Sequence, residues 1–242
     1  MYQSLFHVVQ RFTAVILLLT LFPSGSLRAE TSPSAAALVK QATQASVQRR
    51  YRQASGLLMQ ARRLAEESAD YEQLFWVYTN IGINHAELLN YGEALQAFTT
   101  AYQIADAHLD ARHVLSIRSN IAGLYMMNHE KDKALAEYEH IYKSITSPAD
   151  RTFKGGCALN IATLLIDKRR FKEAETYLST AETVLGADAA NKVSLVTVRV
   201  NYLLGLGKNA AAYRFCKRCE PLLLPSIILP TCCCCKREPQ WR

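Results

Sequence analysis

The chain has 242 residues, room for one or two ordinary domains, and is half apolar, with only 10 glycines and 7 prolines, a balance that favours helix. The net charge of +7 is unevenly spread: Arg11 and Arg28 lie near the start, the tail from Lys217 holds five basic and two acidic residues, and residues 29–216 carry 21 basic against 19 acidic. With no basic stripe interleaved with aromatics, the composition argues against nucleic acid as a partner.

In chain order, the first element is an export signal over residues 1–29. Arg11 supplies positive charge, residues 13–22 form an apolar core, and residues 23–26 (Pro, Ser, Gly, Ser) break it, with cleavage expected after Ala29 or Ser26. Ten apolar residues are too few to span a bilayer comfortably. The alternative is an uncleaved membrane anchor reaching back to Leu5, which would place Gln10 and Arg11 inside the span. Because the next cysteine after the core is Cys157, a lipoprotein anchor is excluded. The expected location is outside the cytoplasm, periplasmic or in the cell envelope, in a bacterial style.

From there a ruler governs the chain. Ala54, Ala94, Ala134 and Ala174 recur every forty residues, followed four positions later by Leu58, Phe98, Tyr138 and Leu178, and three later again by Ala61, Ala101, Ile141 and Ala181. Asn80-Ile81-Gly82, Asn120-Ile121-Ala122 and Asn160-Ile161-Ala162 keep the same period. Such a period marks stacked supersecondary units. Unit one (34–65) shows only the second-helix pattern Ala54, Leu58, Ala61. Unit two (74–105) shows two helical stripes, 74–89 and 91–105, broken at Asn90-Tyr91-Gly92. Units three (114–145) and four (154–185) repeat this, with breaks at 128–131 and 167–170, and the connecting loops share Ala69-Asp70, Leu109-Asp110 and Ala149-Asp150. A partial fifth unit (192–216) has a turn near 203–208. Small residues at the crossing points let paired helices approach closely, while Phe98, Tyr125, Tyr138 and Ile161 fill the core.

At these residues the sequence resembles the tetratricopeptide repeat family, whose pattern is W-x2-L-G-x2-Y, then A-x3-F, then P, over 34 residues. The best copy is Tyr78-x2-Ile81-Gly82-x2-His85 followed by Ala94-x3-Phe98. Two departures stand out: Asp106, Thr146 and Gly186 replace the closing proline, and the period is six residues longer. Both suit extended inter-repeat loops, similar to the 40- to 42-residue repeats of peptide-binding scaffolds such as kinesin light chains. The resemblance covers residues 34–216 and implies an all-α fold, a right-handed superhelical solenoid of stacked antiparallel helix pairs.

In such a solenoid the first helix of each pair lines the concave surface. The residues just off its packing stripe are Asn80, Asn120 and Asn160, whose amides could pair with an extended peptide or bond within the solenoid. Their neighbours Trp76, Thr79 and Ile83, then Ser116, Ser119 and Gly123, then Leu159, Thr163 and Ile166 would set specificity. The lysine and arginine pairs that clamp a C-terminal carboxylate in chaperone-binding members are absent. No catalytic constellation, cofactor motif or complete metal site emerges. Cys216-x2-Cys219 offers half a zinc spacing, and the tail over 217–242, with Cys232 to Cys235, reads as irregular, disulfide-bearing or out of frame. The expected function is a non-enzymatic scaffold binding a protein or peptide segment; the alternative is a truncated sensory input domain of a membrane receptor or transcriptional regulator.

Overall fold

A computed structural model describes residues 33–219. The signal expected over 1–29 and the tail from residue 220 fall outside the described residues. The described ones contain ten α-helices and no strand: α1 (Ala35–Val47), α2 (Tyr51–Glu67), α3 (Tyr71–Glu87), α4 (Tyr91–His108), α5 (Ala111–Met127), α6 (Lys131–Ser144), α7 (Arg151–Asp167), α8 (Phe171–Leu185), α9 (Ala189–Gly205) and α10 (Asn209–Cys219). Successive helices pack as antiparallel pairs, α1–α2 through α9–α10, and each pair stacks on the next. The all-α solenoid expected from the ruler is therefore the observed architecture.

Helix ends follow local chemistry. Asp70 and Asp110 cap α3 and α5, accepting from the backbone N–H of Gln73 at 3.0 Å and of His113 at 3.1 Å. These caps explain why α3 begins at Tyr71 rather than at Leu74 as the apolar stripe suggests. Asp150 breaks the series. A short 3₁₀ turn, Pro148–Asp150, precedes α7, Ser147 caps it through Ala149 N–H, and Asp150 accepts instead from Arg112 Nη2 at 2.6 Å.

Within each pair the turn is the same three-residue device. Its middle residue is left-handed: Arg49, Leu89, His129 and Arg169 have φ between 59° and 62°, and Gly207 has 73°. The following N–H reaches back five residues, as from Asn90 to the His85 carbonyl at 2.9 Å and from Arg170 to the Leu165 carbonyl at 2.9 Å. This six-to-one bond closes the end of the first helix. Consequently α3 stops before Leu88, and Gly92, expected within the break, lies inside the first turn of α4. Unit one has a full first helix although its sequence shows no signature for one, and α10 runs to Cys219, beyond the expected boundary at Cys216.

The ruler alanines sit where helices touch. Ala54, Ala94, Ala134 and Ala174 are all 0% exposed, as are Ala61, Ala101, Ile141 and Ala181. Gly82 on α3 meets Phe98 on α4 so closely that a Cβ there would lie 2.4 Å from Phe98 Cε1. One turn edge is further tied by crossed ion pairs, Lys131 with Asp167 at 2.8 Å and Lys168 with Asp132 at 2.5 Å, joining units three and four. Being exposed, each is worth about 0–1 kcal/mol.

Candidate functional site

Apart from Asn120, Gly123 and Thr163, the groove residues expected from sequence divide into three groups. Thr79, Asn80, Leu159 and Ile166 are buried rather than groove-facing. Asn80 is occupied: its Nδ2 donates to the Trp76 carbonyl at 2.8 Å and its Oδ1 accepts from Thr43 Oγ1 at 2.9 Å. It therefore stitches α1 to α3, the internal alternative that the amide chemistry left open. The reason is spacing, because α1 packs directly on α3, and α7 on α9, covering the flanks of those first helices. Trp76 and Ile83 form the second group and stay exposed, at 36% and 38%. Asn120, Gly123 and Thr163 are half-buried, and the Thr163 hydroxyl is satisfied by the Leu159 carbonyl at 2.9 Å.

The third group, Ser116, Ser119 and Asn160, comes together in one open cavity of about 620 Å³ between α5 and α7. Its walls include Phe153, Gly156, Cys157 and Leu185, and Asn191 reaches in from α9. The ruler explains why the gap lies here. Trp76, Ser116 and Gly156 hold equivalent positions forty residues apart. Between α3 and α5 the Trp76 indole fills the space and meets the His113 ring edge-on, with centroids 6.1 Å apart. Between α5 and α7 the equivalent side chains are a hydroxymethyl and a hydrogen, and the longer connection before α7 sets its helix apart. Trp76 is the one aromatic in a series that otherwise reads Ala36, Ser116, Gly156 and Val196, and with no such side chain between α5 and α7 the gap remains as cavity.

Polar groups around the cavity are mostly neutral and oriented. The Tyr138 hydroxyl donates to the Ser119 carbonyl at 3.4 Å and is also hydrogen-bonded by the Asn160 side chain. Burial pushes the Tyr138 phenol up to about 12, with Cys157 contributing, and burial alone pushes the Cys157 thiol up to about 12. At neutral pH both stay protonated, so Cys157 is a poor nucleophile. The Arg112–Asp150 pair bridges the rim. This arrangement suits recognition: apolar walls with a few fixed donors and acceptors. No group of three His, Cys, Asp or Glu residues suited to a metal occurs among the described residues. Nor is any described helix long and apolar enough to cross a membrane.

Sequence reasoning missed Arg112, Asp150, Phe153, Cys157, Leu185 and Asn191. Of the Arg112–Asp150 pair, only Asp150 left a trace, as one of the loop landmarks. The others depend on the distance between helices remote in the chain, which a repeat pattern does not encode.

No protein-family model and no curated protein sequence matches the chain. Among solved structures it is similar to BtubC (BKLC) from P. vanneervenii, at 16% identity over 78% of this chain and 73% of that one, with a TM-score of 0.58. It is also similar to a tetratricopeptide repeat protein from Parabacteroides merdae ATCC 43184, at 18% identity over 80% of this chain and 82% of that one, with a TM-score of 0.43. At these identities the likeness is one of fold.

Proposed function

We propose, taking a tetratricopeptide-like array of helix pairs as the premise, that the protein is a non-enzymatic scaffold that holds an extended polypeptide segment along its first helices. The observation that carries this reading is the α5–α7 cavity, open where no side chain like Trp76 fills the gap and lined by Ser116, Ser119 and Asn160. A bulky apolar side chain of the partner takes the place that Trp76 takes one unit earlier. The amide of Asn160 and the hydroxyls of Ser116 and Ser119 hold the partner backbone beside it. The asparagine ladder is thereby reduced, because Asn80 is committed to Thr43 and Trp76.

The test is selection of random twelve-residue peptides on the full chain, repeated on a Ser116→Trp variant that refills the cavity. Selected peptides should share one large apolar position and lose binding to the variant. Peptides that bind both proteins alike would remove the cavity from the function. Action outside the cytoplasm is part of the proposal; sequencing the mature N-terminus separates cleavage near Ala29 from retention of the segment.

A further inference from the structure

A second cavity, of about 340 Å³, lies outside the groove, on the seam where α2 meets α3. It is lined by Tyr51, Arg52 and Ser55 from the start of α2 and by Ile81, Asn84, His85 and Leu88 from the end of α3. The repeat ruler shows how unusual its lining is. Positions equivalent to Asn84 hold Leu124 and Leu164, which are 3% and 1% exposed. The next two positions equivalent to Ser55 hold Leu95 and Leu135, so the next two seams are plugged by leucine against leucine, each pair within one apolar cluster. Here the plug is replaced by a hydroxyl and an amide. Asn84 is only 4% exposed, yet neither its Nδ2 nor its Oδ1 has a hydrogen-bond partner among the described residues, and His85 Nδ1 is likewise unpaired. A buried amide left unpaired destabilises the fold, whereas the leucine used twice elsewhere would stabilise it.

The rim differs in the same sense. Where Lys168 pairs with Asp132 across the later seam, the equivalent positions here are Leu88 and Arg52. No acidic side chain lines the cavity, while Tyr51, Arg52, Ser55 and Asn84 all offer donors. Arg52 has no ion pair among the described residues, and Arg49 and Arg50 precede it in the turn. Donors with no acidic side chain among them, one guanidinium at the mouth and the apolar Ile81 and Leu88 beside it call for a singly charged, acceptor-rich planar group attached to something apolar.

We propose that this seam binds a carboxylate of an acidic-apolar polypeptide segment, at a site separate from the groove. Arg52 meets the charge, Ser55 and the Asn84 amide hydrogen-bond the oxygens, and Leu88 covers the flanking apolar residue. The amide atoms lie closed from solvent in the free protein, so binding includes rotation of the Asn84 side chain into the cavity. A side chain and a chain end supply the same carboxylate chemistry.

The experiment is isothermal titration of the full chain with three probes: acetyl-Leu-Asp-Leu-amide, its Asn isostere acetyl-Leu-Asn-Leu-amide, and acetyl-Leu-Leu with a free C-terminus. The Asp probe or the free-acid probe should bind at least about tenfold more tightly than the neutral isostere, and which one does so identifies the source. Asn84→Leu should abolish that binding while raising the thermal midpoint, and Arg52→Gln should weaken it about tenfold without changing the midpoint. Asn160→Ala, in the groove, should leave it unchanged, so this site and the groove fail or stand separately. Equal binding of charged and neutral probes, no binding of any probe, or undiminished binding to Asn84→Leu would each overturn the proposal.

Discussion

Gly82→Ala tests the close-approach argument at its tightest point. A Cβ at 82 would sit 2.4 and 2.5 Å from two carbons of the Phe98 ring and 3.0 Å from a third. Since relaxed carbon contacts lie at about 3.5–4.0 Å, the ring must withdraw by roughly 1 Å. It has little room to do so, because Phe98 is 2% exposed and packed in a cluster with Phe75, Ala94 and Ile117. Overpacking of this kind costs about 1–3 kcal/mol, while replacing a mid-helix glycine with alanine returns about 0.5–1 kcal/mol of backbone entropy. The net expectation is a loss of about 0.5–2 kcal/mol, or about 1–8 °C in thermal midpoint for an array of this size. Urea unfolding, followed by circular dichroism and by Trp76 fluorescence in a Trp241→Phe background, measures it. Phe98→Leu supplies the control. With the ring removed, the same Gly82→Ala change should become stabilising by about 0.5–1 kcal/mol, giving a coupling of about 1–3 kcal/mol between the two sites. A Gly82→Ala protein more stable than the parent, or a cycle without coupling, would refute the view that the small residue is there to admit Phe98.

The turns offer a contrary case: Leu89 is 66% exposed with φ 62°, so Leu89→Gly should stabilise by about 0.5–1 kcal/mol, the left-handed penalty less the added chain entropy, read as a higher urea midpoint. Asn80→Ala should cost about 0.5–1.5 kcal/mol, the net worth of the side-chain hydrogen bond it removes between α1 and α3, since Thr43 Oγ1 still reaches the Val39 carbonyl, whereas Asn120→Ala should leave the unfolding midpoint nearly unchanged. Alkali should weaken the fold in a defined window. The thiol of Cys157 titrates near 9.0 when exposed and is pushed up to about 12 by burial, and the Tyr138 phenol moves from 10.0 to about 12. Between those values the unfolded chain sheds protons that the folded one keeps, so stability is full below pH 9 and falls as pH rises towards 12. Cys157→Ala should delay the onset to about pH 10, where the phenols of Tyr138, Tyr177 and Tyr202, each raised by burial, begin to contribute; a stability profile flat across this window would show these groups to be solvated in the fold.

The ruler of Ala54, Ala94, Ala134 and Ala174 determined the helix pairs and their order, because a helix face needs a small residue wherever another backbone comes close. That requirement is local and periodic, so one sequence displays it. The candidate site was only partly legible. Ser116, Ser119 and Asn160 could be placed on the first helices, yet the same rule assigned Thr79, Asn80 and Leu159 to the groove, and packing buried them. Tertiary structure decided this through the unequal spacing of the first helices: α1 sits directly on α3 and α7 on α9, while α5 and α7 stand apart with Ser116 and Gly156 in place of an indole. Likewise, nothing local marks Leu89 or Arg169 as left-handed, since the positive φ is imposed by the six-to-one bond that closes the preceding helix. Periodicity reports what every unit must do to stack, whereas a cavity arises where one unit departs from its neighbours, and its volume is set by residues that meet only after the chain has folded.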